Sequence, residues 1–225
     1  MVWHQLAFLH WRVPEESLRA HIPRGLELDT FDGSAWLGIV PFRMSGIRPF
    51  GLPLPGRLGA FPELNVRTYV TAGGKPGVWF FSLDATSRLA VRTARRWFHL
   101  PYFNARMSCH PSPAGEICYA SERTHAKAAP WRFQARYRPC GAIRTADALE
   151  RFLVERYCLY AVNGAGELLR GDIHHVPWPL QPAEVEIETC ELFVPQCAAH
   201  LTATPLAHYA ERLDVLSWTL SRLGT

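Results

Sequence analysis

Lysine is almost missing from this chain. Of 24 basic residues only Lys75 and Lys127 are lysines, a bias that genome composition can produce and that carries no function by itself. Long apolar runs are missing too. None approaches the roughly 18 residues of a membrane-spanning helix, so no transmembrane helix and no membrane partner are expected. The net charge of +4 is spread along the chain, without a basic tail or a block of consecutive cations, so nucleic-acid binding is not expected. The cysteines, Cys109, Cys118, Cys140, Cys158, Cys190 and Cys197, include no C-x-x-C pair and match no zinc module. The start, MVWHQLAFLHW, lacks the basic opening and long apolar region of a secretory signal. Free buried thiols in a reducing cytoplasm are the expectation. No G-x-S-x-G elbow is present. Gly73-Gly74-Lys75-Pro76-Gly77 lacks the phosphate-loop spacing and sits between strand patterns. Cys158 has no basic partner or helix start beside it to activate a thiolate. With no internal repeat, low-complexity tract or linker, a single domain over residues 1–225 is expected.

What the chain does have is core material: 48% hydrophobic residues, with 8 Trp and 12 Phe. Its 18 Pro and 16 Gly punctuate it often enough to suit many short strands rather than long helices. The stretch from Phe61 to Met107 organises the reading. It opens with a period-two pattern in which Leu64, Val66, Thr68 and Val70 point one way and Glu63, Asn65, Arg67 and Tyr69 the other. A turn follows, then a strand pattern at Val78 to Leu83 that suits burial on both faces. Next comes an arginine-rich helical segment ending at His99-Leu100-Pro101. The row Glu63, Asn65, Arg67, Tyr69 is either a wet sheet face or, if the sheet closes, the lining of a cavity where buried charges need partners.

Elsewhere, Leu6 to Trp11 reads as a strand that would place His4 and His10 on one face if it extends that far. Pro14-Glu15-Glu16 opens a short helix. Leu26 to Phe31 and Ala35 to Phe42 flank an Asp32-Gly33 hairpin turn. Residues 45 to 62, rich in Pro and Gly, read as a long loop of the kind that covers or binds ligands. Trp131 to Arg138 alternates as a half-buried strand with a solvated basic face. Thr145 is a candidate cap for a helix running to about Arg156. Cys158 to Val162 and Glu167 to Ile173 pair as a hairpin, and Ala183 to Cys190 is a further strand. His208 to Leu220 fits strand or helix. The total is about ten strands and two or three helices, an α+β domain built mainly on antiparallel sheet.

Two more clusters carry chemical options. Arg88, Arg92, Arg95 and Arg96 recur at near-helical spacing, giving either a solvated helix face or a clamp for anions. Asp172, His174 and His175 could ligate a metal, or His175 could pack against Trp178 with its ring nitrogen satisfied; no metal is expected there.

The segments FLHWRVPEESLRAHIPRGLELDTFDGSAWLGIVPFRM, FPELNVRTYV, GVWFFSLDA, LPYFNARM, ERYCLYA and IHHVPWPLQPAEVEI, in this order over nearly the whole chain, closely resemble the YqjF-like family (domain of unknown function 2071). The family is bacterial and has no settled activity. Its architecture is similar to acetoacetate decarboxylase. The resemblance therefore implies a closed or nearly closed β-barrel with a few peripheral helices, and favours the cavity reading of the Glu63 row. It also matches Glu63 to the acidic position of the decarboxylase pattern. That pattern places a nucleophilic lysine directly after a proline, followed by a second lysine. Here Pro101 is followed by Tyr102, Phe103 and Asn104. Neither Lys75 nor Lys127 reads as a substitute, so no Schiff base is expected.

The combined expectation is a cytoplasmic protein with a barrel pocket for a small carboxylate or carbonyl compound. In it Glu63 is the catalytic acid or base, Arg67 holds the anion, and Asn65, Tyr69, Tyr102 and Asn104 orient the ligand. It would act as a lyase, isomerase or hydratase without cofactor. The competing reading is a non-catalytic small-molecule-binding or stress-response protein. A homo-oligomer is compatible with either.

Overall fold

The alternating and doubly apolar patterns become fourteen strands among the described residues, in the order β1 (Val2–Val13), β2 (Glu27–Leu28), β3 (Ala35–Ser45), β4 (Phe61–Ala72), β5 (Lys75–Ala85), β6 (Tyr102–Pro111), β7 (Ile117–Arg123), β8 (Arg132–Pro139), β9 (Cys158–Val162), β10 (Leu168–His174), β11 (Gln181–Cys190), β12 (Leu206–Asp214), β13 (Leu216–Ser217) and β14 (Ser221–Arg222). Short helices α1 (Glu15–Arg19), α2 (Gly56–Gly59), α3 (Arg88–Trp97) and α4 (Ala148–Val154) interrupt them. The structure, a computed structural model, describes residues 1–48, 52, 54, 56–191, 197 and 199–223. Of residues 45 to 62, read as a long loop, the described part includes the end of β3, the short helix α2 and the start of β4; the rest falls outside the described residues.

Nine strands close on themselves in the order β4, β5, β6, β7, β8, β11, β12, β1, β3 and back to β4. Every junction in this ring is antiparallel except β5 with β6, which is parallel because α3 carries the chain back across the barrel between them. Closure removes the edges that a long open sheet would expose. The hairpin of β9 and β10 hangs on β5 as a small extension, closed by β13 and β14.

The barrel axis is filled by one hydrophobic cluster to which all nine ring strands contribute. Leu9, Leu37, Leu64, Val66, Tyr119 and Phe133 are among its most buried members. Tyr119 Oη donates across it to the backbone carbonyl of Glu63 at 2.6 Å, tying β7 to β4. A polar pair sits in the same interior. Arg123 Nε and Nη2 donate to Asp84 Oδ1 at 3.1 and 2.8 Å, while the guanidinium lies 4.1 Å from the Phe103 ring centroid. Burial raises the Asp84 carboxyl to about 6 against the pull of Arg123, which still leaves it ionised at neutral pH.

A second cluster lies on the outward face of β12, β1, β3, β4 and β5, covered by α3, α4 and the segment around Trp178. What holds α4 there is legible in its first turn. Asp147 caps the helix, accepting from the Glu150 N–H, while Glu150 accepts from the Asp147 N–H, a capping box. Glu150 is also bound by Arg144 and, at 2.7 Å, by His208 of β12, so the helix start is anchored to the barrel wall.

Several local expectations are corrected. The helix cap is Asp147, not Thr145. Leu26 to Phe31 forms only the two-residue β2, which pairs with β4 and not with β3; the Asp32-Gly33 turn is closed by a single bridge from Phe31 to Ser34. His4 and His10 do not share a face, because a bulge at Gln5 (φ 54°) shifts the register between His4 and Leu9. The basic face of β8 is solvated as expected, and its arginines are paired there: Glu184, Glu186, Glu188 and Glu191 meet Arg138, Arg136, Arg136 and Arg132. The ambiguous C-terminal segment is strand. No helix among the described residues is long and apolar enough to cross a membrane.

Arg123→Ala would leave the Asp84 carboxylate in the barrel interior without its cation. A loss of roughly 3–5 kcal/mol is expected, read as a lower urea midpoint near neutral pH. An unchanged midpoint would show that the pair does not brace the barrel.

Candidate functional site

The alternation of β4 holds from Glu63 to Val70, so its two faces separate cleanly. Leu64 and Val66 enter the barrel interior. Glu63, Asn65, Arg67 and Tyr69 lie on the other face, beneath the α3 and α4 cover. The row is therefore fully buried, but not inside the nine-stranded barrel as the cavity reading implied. It occupies the layer between barrel wall and helices, because both faces of β4 are covered here.

Each member of the row has a defined setting. Tyr102, on β6, reaches over β5 and donates its hydroxyl to Glu63 Oε2 at 2.8 Å. Burial, despite that hydrogen bond, pushes the Glu63 carboxyl up to about 8, and the charge on Asp84 adds to the rise. Burial together with Glu63 also raises the Tyr102 hydroxyl well above its ordinary value. Both groups are thus protonated at neutral pH.

Arg67 is 9% exposed and forms no ion pair among the described residues. Its Nη2 donates to the Leu153 carbonyl of α4 at 3.2 Å, and its guanidinium lies 5.6 Å from the Phe8 ring and 5.7 Å from the Tyr69 ring. Its Nε, the Asn65 Oδ1 and the His10 Nδ1 find no hydrogen-bond partner among the described residues, although all three are buried. Tyr69 Oη and His10 Nε2 are 2.7 Å apart. Burial, then the charges of Arg67 and His208, hold the His10 imidazole well below its ordinary pKa, so it is neutral.

The sequence-predicted residues divide. Glu63, Asn65, Arg67, Tyr69 and Tyr102 come together on this covered face. Asn104 does not join them. Its backbone N–H donates to His125 Nδ1 at 3.1 Å, its side-chain amide lies 3.2 Å from the same atom, and it lines a separate cleft against α3. His10, Phe8 and Gly38 are additions. A Cβ on Gly38 would meet His10 Cδ2 at 3.2 Å and Arg67 Cγ at 3.3 Å, so the bare backbone of β3 lets these side chains converge over it. A lone glycine inside the strand pattern Ala35 to Phe42 is the signal that marks such a close approach.

Asp172, His174 and His175 do not assemble. Asp172 is held by Lys75 at 2.8 Å and by Arg170 at 3.2 Å. His175 stacks on Tyr157, packs against Trp178 and places Nδ1 2.8 Å from the Val176 carbonyl. Among the described residues no group of three or more His, Cys, Asp or Glu could hold a metal ion.

The chain belongs to the DUF2071 family, described as an uncharacterized conserved protein, whose profile matches residues 1–214. It is 46% identical over 222 residues to the uncharacterized protein YqjF of Bacillus subtilis (strain 168), covering 98% of this chain and 90% of that protein. Among solved structures it is similar to the enduracididine biosynthesis enzyme MppR complexed with pyruvate. That match has a TM-score of 0.68 at 13% identity and covers 99% of this chain and 89% of the other. It is also similar to acetoacetate decarboxylase, with a TM-score of 0.66 at 12% identity over 99% and 88% of the two chains. At these identities the structural likeness shows the fold, an acetoacetate-decarboxylase-like barrel.

The raised Glu63 carboxyl has a signed consequence. The native state binds this proton more tightly than the unfolded chain, whose carboxyl has the ordinary value of 4.5. The stabilisation is full below that value and is lost as pH rises towards about 8. Wild type should therefore lose stability relative to Glu63→Gln by up to about 1.4 kcal/mol per pH unit across this window. Urea midpoints of the two proteins through the window measure it; parallel profiles would mean that the carboxyl is not buried as described.

Proposed function

We propose that this DUF2071 chain binds a small carbonyl compound bearing a carboxylate on the covered face of β4 and moves a proton on it, acting as a cofactor-independent lyase, isomerase or hydratase. The observation that carries the reading is Arg67: a buried guanidinium with no carboxylate partner among the described residues, on the same strand face as a protonated Glu63. A buried cation left without a counter-charge is costly, and an anionic ligand group would supply one. Arg67 takes the carboxylate, and the unpartnered Asn65 Oδ1 and Arg67 Nε are free to orient what lies between. Glu63, with Tyr102 on its second oxygen, is the proton donor and acceptor. Tyr69 holds Arg67 from the side. That MppR is described with bound pyruvate, a keto acid, agrees with this ligand class.

The competing reading, a binding or stress-response protein without chemistry, fits best if Glu63 and Arg67 neutralise each other in a salt bridge. Glu63 is bonded to Tyr102 instead, which favours proton transfer. An amine nucleophile has no support in this site. Tyr102 follows Pro101, Lys75 is engaged by Asp172, and Lys127 lies in the turn after Thr124.

A thermal-shift screen against pyruvate, acetoacetate and other small keto acids, with Arg67→Ala beside wild type, tests the site. A ligand at about a hundred times its Kd adds roughly 2.7 kcal/mol, a shift of several degrees that should vanish in Arg67→Ala. Glu63→Gln should keep the binding but lose deuterium exchange, in heavy water, at the ligand carbon next to the ketone. Exchange that persists in Glu63→Gln would remove Glu63 from the chemistry. Borohydride added with the keto acid should give no mass gain, and a gain would reinstate a lysine mechanism.

A further inference from the structure

On the outside of the barrel α3 runs alongside β6 and encloses a cleft of about 560 Å³ lined by Arg88, Val91, Arg92, Arg95, Arg96, Asn104 and His125. The cleft passes Arg88 and Asn104 into an adjoining hollow of about 330 Å³ that adds Thr86, Arg106 and Thr124. Arg88, Arg92 and Arg96 follow one another at one helical turn, so their like charges stand side by side and repel. Arg88 also adds a cation at the helix start, where the dipole disfavours it. α3 contains no acidic residue, and none of these arginines forms an ion pair among the described residues. The contrast with β8 is direct: there Arg132, Arg136 and Arg138 each meet a glutamate of the neighbouring strand segment.

The floor of the cleft is polar and fixed. Arg95 Nη1 donates to the Tyr102 carbonyl at 2.8 Å and the guanidinium lies 5.4 Å from the Phe103 ring. His125 Nδ1 accepts the Asn104 N–H, so the imidazole is neutral and carries its hydrogen on Nε2 as a donor. The Asn104 Oδ1 is buried without a partner among the described residues.

We propose that the α3–β6 cleft is a binding site for a small polyanion, a phosphoryl or polycarboxylate group, gripped by Arg88, Arg92 and Arg96 over a floor of Asn104 and His125. Guanidinium forks match both groups bidentately, and a ligand of two or more negative charges would relieve the repulsion along α3. The proposal does not depend on the buried row, since neither Glu63 nor Arg67 lines this cleft.

Calorimetric titration with pyrophosphate and with citrate at low ionic strength tests it, on wild type, on Arg92→Ser/Arg96→Ser, on Arg138→Ser and on Arg67→Ala. Both replaced α3 side chains are exposed, so the double variant should fold. Wild type should bind at least one of the two anions, and which is tighter separates a phosphoryl from a carboxylate ligand. The double variant should bind about tenfold or more weakly, with Arg138→Ser and Arg67→Ala unchanged and the affinity falling as salt is added. No binding of either anion, or equal affinity in the double variant, would overturn the site. Retention on duplex DNA that pyrophosphate does not compete away would replace the small ligand with nucleic acid and also overturn it.

Discussion

The structure depends on β4 being covered on both sides. Closing nine strands fills the barrel axis with one face of every ring strand. Burying the opposite face of β12, β1, β3, β4 and β5 under two helices gives the second core cluster. A strand between two cores has no wet side, so the polar residues it carries must find partners within the protein or stay unpaired. Thr68 solves this locally by donating its hydroxyl to the Trp36 carbonyl at 2.8 Å. Glu63 solves it by holding its proton. Arg67 solves it only in part, through one carbonyl and two ring faces.

Strand geometry explains why Glu63 and Arg67 do not neutralise each other. On a helix an acid and a cation four residues apart are neighbours and pair. On a strand the same spacing puts their Cα atoms about 13 Å apart, with Asn65 between. The two side chains share a face without sharing a bond. That separation leaves one end of the row cationic and the other able to donate a proton, with an amide between them.

Much of this was legible in the sequence because strand periodicity is local. The alternation from Glu63 to Val70 gave the row, and the alternation from Trp131 to Arg138 gave the inward Phe133, Ala135 and Tyr137. Which face of β4 looks into the barrel was not legible, since period two distinguishes two faces but not inside from outside when both are buried. The Asp84–Arg123 pair was hidden because the residues lie at or next to the ends of two different strands and are 39 positions apart. The Gln5 bulge has no composition signal. The cap, read in the sequence as Thr145, is Asp147; the local signal for it is Glu150 three residues on, the capping-box pattern, where Thr145 has Ala148 instead. The Tyr102–Glu63 contact was not legible: the family resemblance marked the two positions separately, and no local pattern joins β6 to β4 across β5.

A phenol, not an amine, follows Pro101, and that limits what this position can do. A lysine whose ammonium is desolvated releases its proton and becomes a nucleophile. A tyrosine in the same apolar setting behaves in the opposite way, because burial disfavours its anion and keeps the hydrogen on oxygen. Next to a carboxyl that burial also keeps neutral, Tyr102 forms a pair of O–H groups rather than a nucleophile and its base. Such a pair is suited to polarising a carbonyl oxygen and protonating an enolate, and it becomes a base only after giving up a proton to the ligand. Under the proposed function, a carboxyl that rests protonated donates first and abstracts second, while the cationic end of the row at Arg67 lies about 13 Å further along the strand.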